Sequence, residues 1–473
     1  MTTSAKILAP LDRLRSLGGR LRFQKLAVGL ILGCLFSGPF AFDVWAQPFP
    51  SRSQSASDFL FGSYDDPAEQ SNISWWQSSN SITLNGGFSL IGPQWYTALG
   101  AELDTRRSET ALHLSGLIRT GVYGAFTEDT NEVEDLIRLV DYARFRSRKG
   151  DNYLRVGPLN RTRLGTGHLV NFLTTDAARD SRTVGAEARA RGGILSLEGF
   201  SESVLSVGLI GGRAAISPFT RFKSRISTLT LAASLVTDRS VLLESGQHLR
   251  GQEADLRIEA FRTGGFSFFP FVSVARIPEY GQGLLFGADL ENQNFIDLAR
   301  LHFRLALQYN SSDFRSGYFG SFYTVSSHRA NILAGDGETS ATLGLREIQR
   351  GNSIHSELRL LIFERFELWY AFMRYHGVQT LSEYHLRLFM HGRQFRIMIG
   401  QDRRGLVGFS SLFGALGSEN RMRFEFDYRL FGAFWVNLDA HYTYSKLGEG
   451  EDGTTHFLVE RRFNPMIGLK LSW

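Results

Sequence analysis

Cysteine is almost missing: the single thiol in 473 residues is Cys34, which excludes a disulfide framework and any cysteine-built metal centre. Lysine is scarce too. Beyond residue 46 it occurs only at Lys149, Lys223, Lys446 and Lys470, so arginine carries nearly all the positive charge. No stretch matches the roughly 20 unbroken apolar residues that a membrane-crossing helix requires, and mean hydropathy is only −0.14. A bundle of membrane helices is therefore excluded. The local signatures GxSxG and HExxH do not occur either, which removes the common routes to a serine hydrolase or a zinc peptidase. Hydrophobic residues nevertheless make up 43% of the chain and charged ones 21%, too apolar for a disordered polymer.

The beginning of the chain reads as an export signal. Lys6, Arg13, Arg15, Arg20, Arg22 and Lys25 form a basic region, followed by an apolar run from Leu26 to Phe42 and by Val44-Trp45-Ala46. Small residues at alternate positions place the expected cleavage after Ala46. Residues 1–46 hold 6 basic and 2 acidic residues, so the remainder carries 46 basic against 45 acidic ones. The sequence pI of 9.3 then reflects the signal more than the exported chain. Neither that balance nor export suits a nucleic-acid binder. Residues 47–80, rich in Ser, Gln, Asn and Asp, read as a polar periplasmic lead-in.

From residue 81 to residue 473 the pattern is alternation with period two, in segments of 8 to 12 residues separated by Gly, Asn, Asp and Ser, which is the spacing of strands. Arg257 shares a face with Glu253, Asp255 and Glu259, opposite Ala254, Leu256 and Ile258. Arg300, His302 and Arg304 oppose Leu301, Phe303 and Leu305. Arg387 opposes Leu386 and Leu388. Arg421, Arg423, Glu425, Asp427 and Arg429 oppose Met422, Phe424, Phe426, Tyr428 and Leu430, and Asp439 opposes Leu438 and Ala440. A soluble sandwich alternates as well, but export and the persistence of the pattern over nearly 400 residues favour a single large, closed, antiparallel transmembrane β-barrel. Closure is required, because an open sheet edge in hydrocarbon leaves backbone N–H and C=O groups unpaired. At about 20 residues per segment the expected count is about 18 strands, within a range of 16 to 20. Trp95, Tyr96, Tyr318, Phe319, Tyr323, Trp369, Tyr370, Trp435, Tyr442 and Tyr444 are candidates for the interfacial aromatic girdles.

The last residues, from Asn464 to Trp473, put Ile467, Leu469, Leu471 and Trp473 on one face. This resembles the C-terminal strand of bacterial outer-membrane, porin-like barrels, where an aromatic residue ends the chain. The usual terminal phenylalanine is a tryptophan here. The resemblance implies an outer-membrane location, membrane lipids and the barrel-assembly machinery as partners, and it leaves self-association open.

In a large barrel the polar faces line the interior, so the residues from Arg257 to Asp439 named above are the candidate lumen lining. The same rows also suit ion-pair ladders that stiffen the wall. Arg161, Arg163 and His168 lie in a Gly-, Arg- and Thr-rich stretch that breaks the alternation. That stretch reads either as an inward-folded constriction loop or as a polar surface loop. No cofactor or metal pattern is present. The expected function is a passive, non-enzymatic channel for small polar or anionic solutes. The alternatives are a barrel enzyme with a catalytic rim, or a structural or assembly barrel with a filled lumen.

Overall fold

The computed structural model describes residues 80–106, 110–122, 124–126, 129, 134–146, 151–180, 182–206, 208–243, 245–295, 298–326, 350–363, 365–375, 382–406, 420–449 and 455–473. The expected signal and nearly all of the lead-in lie outside these residues. The first strands are β1 (Ser81–Ile91), β2 (Gln94–Arg106), β3 (Thr110–Gly121), β4 (Gly124–Ala125), β5 (Val140–Phe145) and β6 (Asn152–Gly157). Next come β7 (Gly185–Gly192), β8 (Leu195–Ser201), β9 (Leu209–Ile216), β10 (Thr230–Leu242), β11 (His248–Arg257), β12 (Phe261–Thr263) and β13 (Phe266–Ile277). β14 (Gly281–Phe295), β15 (Ala299–Asn310), β16 (Gly351–Ile362), β17 (Phe366–Tyr375) and β18 (Glu383–His391) follow. β19 (Phe395–Arg404), β20 (Asn420–Phe431), β21 (Phe434–Glu449) and β22 (Thr455–Ser472) complete the wall.

Every neighbouring pair is antiparallel, and β1 returns to β22 with Ser81 opposite Ser472 and Leu84 opposite Leu469, which closes the ring. β4 and β5 both lie against β3, and β11 and β12 both lie against β13. Each pair occupies one place in the wall, so the barrel has twenty strands. This corrects the expected count of about 18, at the upper end of its range. The excess comes from β7, β8 and β9, three short strands within residues 185–216, where the spacing falls well below 20 residues per strand. Two-residue turns set the register in several hairpins. Gly264 (φ 53°) and Gly432 (φ 52°) take left-handed conformations there, which only glycine adopts without strain.

Leu84, Leu99, Ile118, Leu235, Val274, Leu305 and Ile467 stand exposed on the outside, while Asn85, Asp104, Glu253, Arg304, His385 and Asp427 are buried on the inside. A surface of exposed apolar rows on this scale is suited to lipid, and no helix among the described residues is long and apolar enough to cross a membrane. The apolar outer rows are carried by strands. At the rim that holds Asn80 and Trp473, joined by Trp473 N–H donating to the Asn80 carbonyl at 3.0 Å, the connections run from two to six residues, with 217–229 the one longer case. At the opposite, upper rim they include 122–139, 158–184, 311–350 and 405–419.

Two of these upper connections turn inward. Residues 159–175 are buried almost throughout, as are residues 314–323. The two segments meet as parallel chain: Gly317 N–H donates to the His168 carbonyl (2.8 Å), Phe319 N–H to the Leu169 carbonyl (3.1 Å) and Asn171 N–H to the Phe319 carbonyl (3.3 Å). Their apolar side chains Leu164, Leu169, Val170, Phe314 and Phe319 pack with Val236, Leu249 and Ala275 of the wall.

The interior position of these segments overturns part of the girdle expectation. Tyr318, Phe319 and Tyr323 belong to the second inner segment, while Trp369 and Tyr444 are buried against the inner segments and Trp435 is also buried. Trp95 remains exposed on the outer face, stacked edge-on against Phe88.

Candidate functional site

The packed part of the lumen is built on buried ions. Arg163 is wholly inaccessible and its Nη2 donates to Glu357 Oε2 at 2.6 Å. Its Nε donates to Asn171 Oδ1 at 2.8 Å, and its guanidinium lies 4.7 Å from the Phe172 ring centre. Trp369 Nε1 donates to the other Glu357 oxygen at 2.8 Å. Arg161, also buried, stacks 4.0 Å over the Trp369 ring. His168 Nδ1 is 3.1 Å from Ser273 Oγ, which itself donates to Glu253 Oε1 at 3.0 Å. Phe314 meets the imidazole edge-on. Burial drives the His168 pKa down to about 3, because charging an enclosed imidazole loses its hydration, so the ring is neutral at ordinary pH.

Around this packed region Asp289 gathers three of the sequence candidates: Arg257 Nη1 at 2.8 Å, His302 Nε2 at 3.4 Å and Arg304 Nε at 3.7 Å. Arg304 Nη2 also donates to the Thr166 carbonyl at 2.5 Å, tying wall to inner segment. Arg300 is half-buried at the start of its strand. Arg387 Nη2 donates to Asp402 Oδ2 at 2.7 Å, and His385 Nδ1 is 2.9 Å from Asp402 Oδ1.

The remaining candidates meet elsewhere. Arg421 Nη2 donates to Asp176 Oδ1 at 2.6 Å; Arg423 pairs with Glu425; Arg396 Nε donates to Asp427 Oδ2 at 2.5 Å. Asp439 lies beside His441 and 3.5 Å from Arg179 Nη2. Asp180 bridges Arg119 at 3.0 Å and Arg462 at 2.5 Å, and those guanidiniums hold its carboxyl well below the usual carboxylate range. Accessibility varies among the ionic side chains, with His113, Asp141 and Arg359 at 23 to 27% exposure and Arg119 and Arg462 at 6% and 2%. The side chains of Arg179, Arg396 and Arg423 are 34%, 25% and 29% exposed inside a closed ring, whereas Arg163 and Arg304 are at 0%. Arg429 stands apart, at the lower rim, where its Nε donates to the Gly432 carbonyl at 2.8 Å.

Glu425, Asp439 and His441 bring one ligand atom each within 4.8 Å of one another. The donor set suits a divalent cation, but Arg423 pairs with Glu425, and Arg179 is beside Asp439. A metal ion there would have to displace guanidinium charge, so these residues fit an ion-pair network better than a metal centre.

Asp289, Asp402, Asp176, Arg179 and Arg396 complete these networks and were not singled out from the sequence. Arg396 and Asp402 were accessible to the same alternation argument, since both lie at even positions of one strand. Arg179 and Asp176 were not, because their segment has no period.

A closed antiparallel ring, apolar outside and ionic inside, is the architecture of a large transmembrane β-barrel. No protein-family model and no curated protein sequence matches the chain. Among solved structures it is similar to Pseudomonas aeruginosa OccK2 (OpdF), at 10% identity over 83% of this chain and 97% of that one, with a TM-score of 0.32. The outer membrane protein opdK of Pseudomonas aeruginosa is similar at 9% identity over 84% and 98%, TM-score 0.32. Acinetobacter baumannii OccAB2 is similar at 8% identity over 84% and 98%, TM-score 0.30. At these scores the likeness transfers neither a solute nor a path to this chain.

Proposed function

We propose that the protein is a passive, non-enzymatic channel for small polar solutes. Its path runs past Arg179, Arg396 and Arg423, on the β19 to β22 side of the lumen. The observation that carries this reading is the exposure of those three guanidiniums, 25 to 34%, inside a closed wall, because a charged side chain keeps that much open surface only where water reaches it. Arginine rows facing Glu425, Asp427 and Asp439 set up a transverse field that orients a dipolar or charged solute. The planar guanidinium fork suits carboxylates, which supports a modest anion bias. Membrane lipids and the assembly machinery are the partners that follow from this reading.

A second reading, a structural barrel with a filled lumen, is favoured by one observation: the close packing of residues 159–175 and 314–323 within the ring. Planar-bilayer recording of the refolded protein separates the two. The channel predicts steady unitary conductance with an anion-biased reversal potential under a salt gradient, reduced in Arg396→Gln/Arg423→Gln. A folded barrel that stays silent would overturn the channel and favour the filled-lumen reading.

A further inference from the structure

The lower rim carries one feature that conduction does not require. Residues 217–229 form its single long connection, thirteen residues where the other connections have two to six. Its sequence, Ser-Pro-Phe-Thr-Arg-Phe-Lys-Ser-Arg-Ile-Ser-Thr-Leu, holds three cations and no acid. Residues 220–226 are all exposed, with Phe222 at 59% and Ile226 at 42%.

The loop has a defined shape. Phe222 N–H donates to the Phe219 carbonyl (2.9 Å), Ser227 N–H to the Ser224 carbonyl (2.9 Å) and Leu229 N–H to the Ile226 carbonyl (3.0 Å). It is fastened to the neighbouring strands: Arg225 Nη1 donates to the Ala260 carbonyl at 2.7 Å and its guanidinium lies 5.7 Å from the Phe261 ring centre. Thr228 Oγ1 accepts the Glu259 N–H at 2.9 Å. Glu259 is neutralised by Arg262 at 2.5 Å. With Arg225 serving as the anchor, Arg221 and Lys223 are the cations left facing outward beside the two exposed apolar side chains.

The position continues the lipid face. Ile216 is opposite Leu195 on one side and Leu231 on the other, and all three are exposed on the outer surface. Phe222 and Ile226 are exposed on the connection that joins Ile216 to Leu231, just beyond the ends of these strands.

We propose that residues 217–229 are a lipid-docking loop that seats Phe222 and Ile226 at the acyl boundary of the leaflet around the lower rim and binds anionic phospholipid headgroups through Arg221 and Lys223. In a barrel of this class the rim with short turns faces the periplasm, so the leaflet is the phospholipid one on that side. Apolar insertion and cationic attraction to anionic lipid reinforce each other in interfacial anchors.

The test uses the full chain refolded into phosphatidylcholine nanodiscs with and without phosphatidylglycerol, with native mass spectrometry of the lipids that remain bound after detergent extraction. The parent protein is expected to keep phosphatidylglycerol in preference to phosphatidylcholine. Arg221→Gln/Lys223→Gln is expected to lose about fivefold of that preference per cation removed, the change equivalent to about 1 kcal/mol for each basic residue near an anionic surface. A parallel variant, Phe222→Trp, in vesicles of brominated phospholipid should show indole quenching beyond that of the parent. Folding of each variant is checked by its heat-modifiable migration in gels. Equal phosphatidylglycerol retention by parent and double variant would overturn headgroup binding. An unquenched new indole would place the loop off the membrane, as a site for a periplasmic protein or glycan would be, and would overturn the docking.

Discussion

Arg163 and Glu357 are a buried pair whose value lies in holding the first inner segment to the wall. Both side chains are wholly enclosed, so each charge depends on the other and on Asn171 and Trp369. Removing one partner of such a pair costs about 3–5 kcal/mol, because the other charge is left buried without compensation. Arg163→Met should therefore release residues 158–184, seen as protease cleavage and faster amide exchange confined to that segment, while Arg163→Met/Glu357→Gln should regain most of the protection. His168 gives the segment a pH dependence of known sign. Its folded-state pKa of about 3 lies below the ordinary value of 6.5. Above pH 6.5 the ring is neutral in both seated and released states and contributes no bias. As pH falls from 6.5 towards 3 the released ring takes a proton that the seated ring refuses. Seating then weakens by on the order of 1 kcal/mol per pH unit. Amide exchange of residues 158–184 should rise over that window in the parent, and the part due to His168 should vanish in His168→Gln, which keeps a side-chain partner for Ser273. An unchanged acid response in that variant would assign it to other groups.

At the scale of elements, glycines in the wall make room for the second inner segment. A Cβ on Gly283 would stand 2.4 Å from Phe314 Cε1 and 2.9 Å from Asn310 Oδ1, and one on Gly281 would stand 2.5 Å from the Ser312 carbonyl. Overpacking of this kind costs about 1–3 kcal/mol. Gly283→Ala should loosen residues 311–326 without disturbing the pairing of β14 with β15, and a smaller side chain in Phe314→Leu should partly restore the fit; amide exchange resolved by segment reads both. The contrast with the wall explains what the sequence made legible. Rows such as Arg421 to Arg429 against Met422 to Leu430 face two solvents, lipid and lumen, and record this as alternation. Residues 159–175 and 314–323 face protein on all sides, so no period survives. The first segment could still be noticed from its Gly, Arg and Thr content. The second displayed only Tyr318, Phe319 and Tyr323, aromatic residues that a membrane girdle would also use. Ion partners were hidden for a related reason: the fact that Asp289 gathers Arg257, His302 and Arg304 depends on registers between β11, β13, β14 and β15, and a single sequence does not specify them.

For the whole molecule, the lumen is unevenly filled, and the proposed path depends on it. Where the first inner segment meets the wall the contacts are dry, with Thr162, Arg163, Thr166 and His168 all at 0 to 2% exposure. Side chains that keep open surface include Arg179 and, on β19 and β20, Arg396 and Arg423, with His113 and Asp141 across β3 and β5 and Arg359 on β16. A uniform pore would be equally accessible around its wall; this one should not be. Single cysteines test the difference directly, because Cys34 is the only native thiol and is removed by Cys34→Ser in each variant. In bilayers, Arg396→Cys and Arg423→Cys should react with a bulky, water-soluble thiol reagent and lose conductance as they do. Ser273→Cys, behind His168, should remain unreactive at neutral pH and its conductance unchanged. It should become reactive in an Arg163→Met background, where the first inner segment no longer shields it. Equal reactivity of all three positions in otherwise parental protein would mean that the inner segments leave the lumen freely, and the path assigned to one side would then extend to the whole interior.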